Sequence, residues 1–463
     1  MLIQKIRSEG LAHLSYIVVD KGQAAVIDPR RDSQVYVDIA YANGAAITSI
    51  FETHKHEDFI SGALELSTKT GAAVHHGANL DFGFGSVVRE GDAFNVGTLL
   101  LQVLETPGHT DESISLVLKD TNSGPDPVGV FTGDALFVGD VGRTDFYPGQ
   151  EEAKADLLYA SLQEKILPLG DQAILYPGHG AGSVCGSGMA EREFSSLGLE
   201  RRNNAMLQLR RQEFRVRKST EQHVKPPYFA VMEEYNKQGN APALDECALP
   251  APGSVEAFAQ AMQKGMQVVD LRMPEAIAGA MIPSSLAIPL SMVPSYAGFF
   301  LHPDQEIGLI VDSYDQVKTA MRHFQRIGLD RVTGFIEEGL HEWEISGRCF
   351  ERIPTVHVRE VVRRIQNKEQ VTILDIRKEE EFAQGHLPGS VHVFLGHLEE
   401  ELDRIPRDQP VVTFCGSGRR AILAASILKR HGFRNVENCL GSMKACAANG
   451  CPVVRMEDAG GRP

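Results

Sequence analysis

Two histidines and an aspartate alternate along Thr53-His54-Lys55-His56-Glu57-Asp58-Phe59. That spacing puts three groups able to bind a metal or move a proton into one short loop. Two further stretches carry a group of the same kind behind a glycine: Thr106-Pro107-Gly108-His109 and Thr132-Gly133-Asp134. A different chemistry stands near the other end of the chain, where Phe414-Cys415-Gly416-Ser417-Gly418-Arg419-Arg420 sets a thiol in a glycine-rich loop. When such a loop enters a helix, backbone N–H groups and the helix N-terminus point at the sulfur. They favour thiolate over thiol and can hold a persulfide anion.

These groups need strand ends to carry them. The apolar runs Ala46 to Phe51, Leu99 to Leu104 and Val128 to Phe131 read as buried strands, and each exits into one of the loops. Three strand ends therefore offer imidazoles and a carboxylate. Val411 to Phe414 and Ala421 to Arg430 read as the strand and helix that flank Cys415. Residues 14–28 read as two strands joined by a Lys-Gly turn, and 61–70 as the helix behind the histidine loop. Residues 151–167 read as a helix with Leu157, Leu158, Leu162 and Ile166 on one face. Tyr176-Pro177-Gly178-His179-Gly180 closes one more apolar run.

Residues 191–240 are charged and helical in pattern, a solvated face over the first domain. A proline-bearing connector from Pro242 to Pro252 marks a boundary. Beyond it the chain repeats itself. Val268-Val269-Asp270-Leu271-Arg272 matches Ile373-Leu374-Asp375-Ile376-Arg377 at an offset of 105 residues, and the same offset carries Pro283 onto Pro388.

At 463 residues the chain calls for two or three domains. A net charge of −15 without a long basic block argues against a nucleic-acid or anionic-membrane partner. The charged N-terminal stretch Met1 to Glu9 does not read as a signal peptide, and no run reaches the length of a membrane span. A soluble cytoplasmic protein is expected. Seven scattered cysteines (185, 247, 349, 415, 439, 446, 451) read as free thiols of a reducing compartment, with Cys439, Cys446 and Cys451 as packing residues.

His54-x-His56-x-Asp58, Gly108-His109, Gly133-Asp134 and Gly178-His179 together resemble the metal-binding motifs of the metallo-β-lactamase superfamily over about the first half of the chain. One position departs, because members holding two metals have histidine where this chain has Phe59, and a phenyl ring has no lone pair to give. The remaining set, His54, His109 and Asp134, has the composition of a two-histidine, one-carboxylate triad, which suits a single ferrous iron. Gly142-Arg143-Thr144-Asp145-Phe146 resembles the signature of the persulfide dioxygenases within that superfamily. The resemblance implies His56, Asp58 and His179 beside the ligands or against the substrate. A hydrogen-bonded loop histidine is the other reading for His56 and His179, and His56 becomes a fourth ligand if the metal is zinc. Arg143 and Asp145 form either the site wall and a substrate contact or a structural ion pair.

The two repeats resemble rhodanese domains, in which Asp-x-Arg ends one central strand and a catalytic cysteine ends another. The second copy has that cysteine, Cys415, with Gly416, Ser417 and Gly418 as its persulfide loop and Arg419 and Arg420 for the anionic partner. The phosphatases related to this family carry one residue more between cysteine and arginine, so the spacing here points to sulfur transfer. In the first copy Asp312 is expected at the cysteine position, which makes that copy inactive.

The expected architecture is an αββα metallo-β-lactamase sandwich at 1–250, followed by two rhodanese-like α/β domains with parallel sheets at 253–350 and 354–463. The resemblance implies that dioxygen oxidises a low-molecular-weight persulfide, of glutathione or coenzyme A type, to sulfite and thiol. Cys415 then interconverts thiosulfate and persulfide. A zinc-dependent thioester hydrolase of the glyoxalase II type is the alternative, and a homo-oligomer is compatible with either.

Overall fold

Runs of β-branched and aliphatic residues such as Val18-Val19, Ala24-Ala25-Val26-Ile27 and Ile114 to Leu118 have side chains that pack on a pleated surface, and all of them are strands. The computed structural model describes residues 1–183, 186, 188–221, 223–244, 249–250 and 253–455. Cys185, Cys247, part of the Pro242 to Pro252 connector and the end of the 354–463 domain lie outside the described residues. The chain divides into two units, Met1–Glu246 with Gln325–Gly328, and Cys247–Phe324 with Leu329–Pro463.

The first unit is built on two six-stranded sheets. In the first sheet Leu2–Ser8, His13–Asp20 and Gln23–Ile27 pair antiparallel, and Ala46–Glu52, Ala73–Gly77 and Ser86–Val88 continue in parallel. The second runs Ser195–Ser196, Ile174–Pro177, Pro127–Gly133, Ile114–Asp120, Leu99–Glu105, Ala93–Val96. Tyr16, Val18 and Phe51 of one sheet meet Leu101, Leu116 and Phe131 of the other in a core between them. Helices Gln34–Ala42 and Ala63–Thr70 belong to a second core on the outer face of the first sheet, and Glu151–Ala160 to a third on the second sheet. This is the expected αββα sandwich. Each fully buried large aliphatic or aromatic side chain in it contributes about 1.5–3 kcal/mol.

The helix expected over 151–167 changes pitch. It is α-helical over Glu151–Ala160, π-helical over Ser161–Ile166 and 3₁₀ over Leu167–Leu169. Leu158, Leu162 and Ile166 recur every four residues and are buried on one face, whereas Leu157, about 100° of helical rotation before Leu158, faces outward.

The second unit holds two parallel sheets, ordered Leu286–Ala287, Gln267–Asp270, Ile307–Ile310, Val332–Ile336 and Thr355–His357, Val436–Leu440, Val411–Phe414, Thr372–Asp375, Val391–His392. The repeat is physical as well as textual. Arg272 grips Asp270 at 2.7 and 2.9 Å and also donates to the Ala280 carbonyl; Arg377 grips Asp375 at 2.6 and 2.9 Å and donates to the Gly385 carbonyl.

Register corrects one expectation. Asp270 pairs with Ile310, and Asp375 pairs with Phe414, so the residue equivalent to Cys415 is Val311, and Asp312 falls one place later. A second correction concerns the thiols. Cys446, at the buried face of helix Ser442–Asn449, is joined to Cys451 in a disulfide, because Gly450 turns the chain back at φ +62. Cys349, Cys415 and Cys439 are free. No helix among the described residues is long and apolar enough to cross a membrane.

Candidate functional site

Strand Ala46–Glu52 delivers the 53–59 loop, and Pro127–Gly133 delivers Asp134 beside it. Gly133, at φ +49, is held against Thr53; a Cβ there would lie 2.4 Å from the Thr53 hydroxyl oxygen. Gly108 is similarly constrained, since a Cβ on it would lie 2.4 Å from the Leu158 nitrogen, so the helix behind the His109 loop packs directly on backbone. Ser161 in that helix donates to the Pro107 carbonyl at 2.7 Å.

Three ligand atoms of His54, His109 and Asp134 lie within 4.8 Å of one another, and all three residues are buried. His54 Nε2 stands 3.9 Å and His109 Nε2 3.6 Å from Asp134 Oδ2. None of these three atoms has a hydrogen-bond partner. Buried polar atoms are almost always paired, so orphaned lone pairs converging on one point match the donor set of a divalent metal.

The opposite side of each ligand is tied down. His109 Nδ1 donates to the Arg143 carbonyl at 3.0 Å. His54 Nδ1 donates to the Thr53 hydroxyl at 3.0 Å, which passes its own proton to Asp28 at 2.8 Å. Both imidazoles thereby carry a proton on Nδ1 and present Nε2 to the centre. Asp134 Oδ1 accepts from His179 Nδ1 at 2.7 Å, and His179 Nε2 donates to Asp58 Oδ2 at 2.9 Å. Burial opposes charging His179, but the carboxylates of Asp134 and Asp58 outweigh it and hold its pKa up at about 10. His179 is thus an imidazolium bridging two carboxylates, away from the converging lone pairs.

His56 is turned away as well. At φ +46 it directs Nε2 to Asp28 (3.2 Å) and Glu52 (3.0 Å). These three also lie within ligand distance of one another, but all four carboxylate oxygens already receive hydrogen bonds, from Thr53, Ser61 and His56. Phe59 stacks between His13 (4.0 Å between ring centres) and His56 (4.6 Å) and is fully buried. Arg143 is buried, with its guanidinium locked bidentate on Asp145 at 2.6 and 2.8 Å and donating to the His223 carbonyl; its main-chain oxygen is what reaches His109.

In the second unit Cys415 is buried at the end of strand Val411–Phe414. The Gly418 N–H donates to its sulfur at 3.0 Å, and helix Arg419–Arg430 starts there, with Gly418 at φ +95. Ser442 holds the Cys415 N–H at 3.1 Å. Arg419 is exposed. Arg420 curls back over Gly416 and is gripped by Glu381 at 2.6 and 2.7 Å. Tyr296, from the first repeat, lies near Arg420, and burial pushes its phenol pKa up.

Four participants escaped sequence reading. Glu57 sits inside the motif already quoted, where an ionisable residue in a buried loop is itself a signal. Asp28, Glu381 and Tyr296 arrive from distant segments and carry no local mark.

Family models match residues 9–179 as metallo-β-lactamase superfamily and residues 358–449 as rhodanese-like domain. The chain is 31% identical over 186 residues to a hydroxyacylglutathione hydrolase of Polaromonas sp., covering 39% of this chain and 66% of that one. It is 32% identical over 177 residues to the mitochondrial persulfide dioxygenase ETHE1 of Mus musculus, covering 36% and 63%. The chain thus spans less than two thirds of either curated relative. A crystal structure described as a metallo-β-lactamase from Staphylococcus aureus is 32% identical, with TM-score 0.65, and covers 73% of this chain and 99% of that one.

Proposed function

The chain belongs to the metallo-β-lactamase superfamily and carries a rhodanese-like domain behind that fold; from this premise we propose an iron-dependent persulfide dioxygenase joined to a sulfurtransferase acting through Cys415. The observation that carries the first half is the meeting of unpaired lone pairs from His54, His109 and Asp134 beside a phenyl ring at position 59. Those three residues would hold one ferrous ion per chain. When bound, the ion supplies a redox-active centre through which dioxygen can oxidise a persulfide sulfur. The net reaction, R–S–SH + O₂ + H₂O giving R–SH and sulfurous acid, conserves every atom.

The chain's own part is positional. Thr53 and the Arg143 carbonyl fix both imidazole tautomers, and His179 holds Asp134 in its charged form. Burial of all of them excludes water from the ligand atoms.

At the second site the Cys415 thiolate attacks the outer, sulfane sulfur of a donor. The donor's S–S bond breaks, sulfite or a thiolate leaves, and Cys415 carries a persulfide. Sulfite or a thiol then takes that sulfur and returns the thiolate. The Gly418 N–H and the helix behind it stabilise sulfur in its anionic form. Sulfite is common to both reactions.

The deciding experiment is metal analysis of protein purified without added metal, together with dioxygen uptake on glutathione persulfide and coenzyme A persulfide. Iron with uptake and sulfite formation is expected. Zinc with thioester cleavage and no uptake would replace this reading by the hydrolase reading, which the 31% identity to a hydroxyacylglutathione hydrolase keeps in view. Comparing accumulated thiosulfate and sulfite in wild type and Cys415→Ser assigns the direction of sulfur flow.

A further inference from the structure

The unpaired atoms around the first site number more than the three proposed ligands supply. Both carboxylate oxygens of Glu57 lack a hydrogen-bond partner, and Glu57 is fully buried. Its Oε2 stands 3.8 Å from His109 Nε2 and 4.0 Å from His54 Nε2, almost the spacing that Asp134 Oδ2 keeps from the same two nitrogens, 3.6 and 3.9 Å.

We propose that Glu57 is a fourth protein ligand to the ion held by His54, His109 and Asp134, an inference that rests on the metal reading above. Atoms each about 2.0–2.2 Å from a shared ion stand roughly 3.0–3.5 Å from one another, so contraction by roughly 0.3–1 Å brings Glu57 into coordination. Local backbone explains why this residue takes the place. The positive φ of His56 sends that imidazole to Asp28 and Glu52, and the next side chain faces the two Nε2 atoms instead.

Charge points the same way. The nearest ammonium, Lys55 Nζ, is 3.9 Å from Glu57 and is already bound to Glu233 at 3.0 Å. A buried carboxylate left so weakly compensated is disfavoured unless a cation joins it. Two carboxylates offset the double charge of the ion at a buried site.

The test is anaerobic titration of metal-free full-length protein with Fe(II), and separately with Co(II), for wild type, Glu57→Gln and His54→Ala. Glu57→Gln is expected to bind Fe(II) at least about tenfold more weakly. Its Co(II) visible absorption should change in position and intensity, because one ligand has been lost. Its gain in melting temperature on metal addition should shrink accordingly. Unchanged affinity and spectrum in Glu57→Gln, with metal binding lost in His54→Ala, overturns the assignment of Glu57 alone. Wild-type binding in His54→Ala overturns the site itself and this inference with it. If Glu57→Gln does not fold, Glu57→Asp, which shortens the arm but keeps the charge, is read by the same affinity and absorption. A wild-type result from it counts against Glu57.

Discussion

The carbonyl oxygen of Arg143 accepts a hydrogen bond from His109 Nδ1 at 3.0 Å while the guanidinium of the same residue clamps both oxygens of Asp145. One residue therefore joins a buried ion pair to the orientation of a proposed ligand. Arg143→Lys cannot keep the two-pronged contact. It should cost about 2–4 kcal/mol in urea denaturation of the metal-free protein and lower Fe(II) affinity about tenfold, although no side chain of the proposed metal sphere has been altered.

His179 sets a pH signature. Its pKa in the fold, about 10, lies above the ordinary imidazole value of about 6.5. Its contribution to stability is therefore complete below pH about 6.5 and is lost as pH rises through about 10. In metal-free protein the melting temperature difference between wild type and His179→Gln should be largest near pH 6 and should narrow steadily toward pH 10. A difference that grows with pH would contradict a charged His179.

The grip of Glu381 on Arg420 partly neutralises the positive charge above the Cys415 loop. Glu381→Gln should leave that charge less opposed. The KM for thiosulfate is expected to fall severalfold, with the change shrinking at high ionic strength.

Register in the parallel sheets makes Val311 the counterpart of Cys415. Val311→Cys should nevertheless restore nothing to Cys415→Ser, because Asp312-Ser313-Tyr314 offers neither the two glycines nor the arginines of the active loop. Sulfur transfer measured with thiosulfate and cyanide in the double variant should stay at the level of Cys415→Ser.

Much of this was legible because strand exits and glycine-bearing motifs are local. The loops at His54, His109, Asp134 and Cys415 each follow an apolar run directly, and the Asp-x-Arg pairs recur at a fixed offset. What escaped was non-local or depended on one residue of phase. The step from Asp312 to Val311 is a difference in strand register, which hydrophobic pattern does not mark. Leu157, one residue and about 100° of helical rotation before Leu158, falls outside the buried stripe. The Cys446–Cys451 disulfide depends on a left-handed glycine between two residues that otherwise read as packing thiols.

The aromatic stack of His13, Phe59 and His56 fills its space with carbon and with an imidazole already committed elsewhere. Selectivity built on occupied volume does not yield to mass action. Flooding the protein with ions should leave loading at a plateau of one, whereas a site guarded only by weak affinity would go on filling.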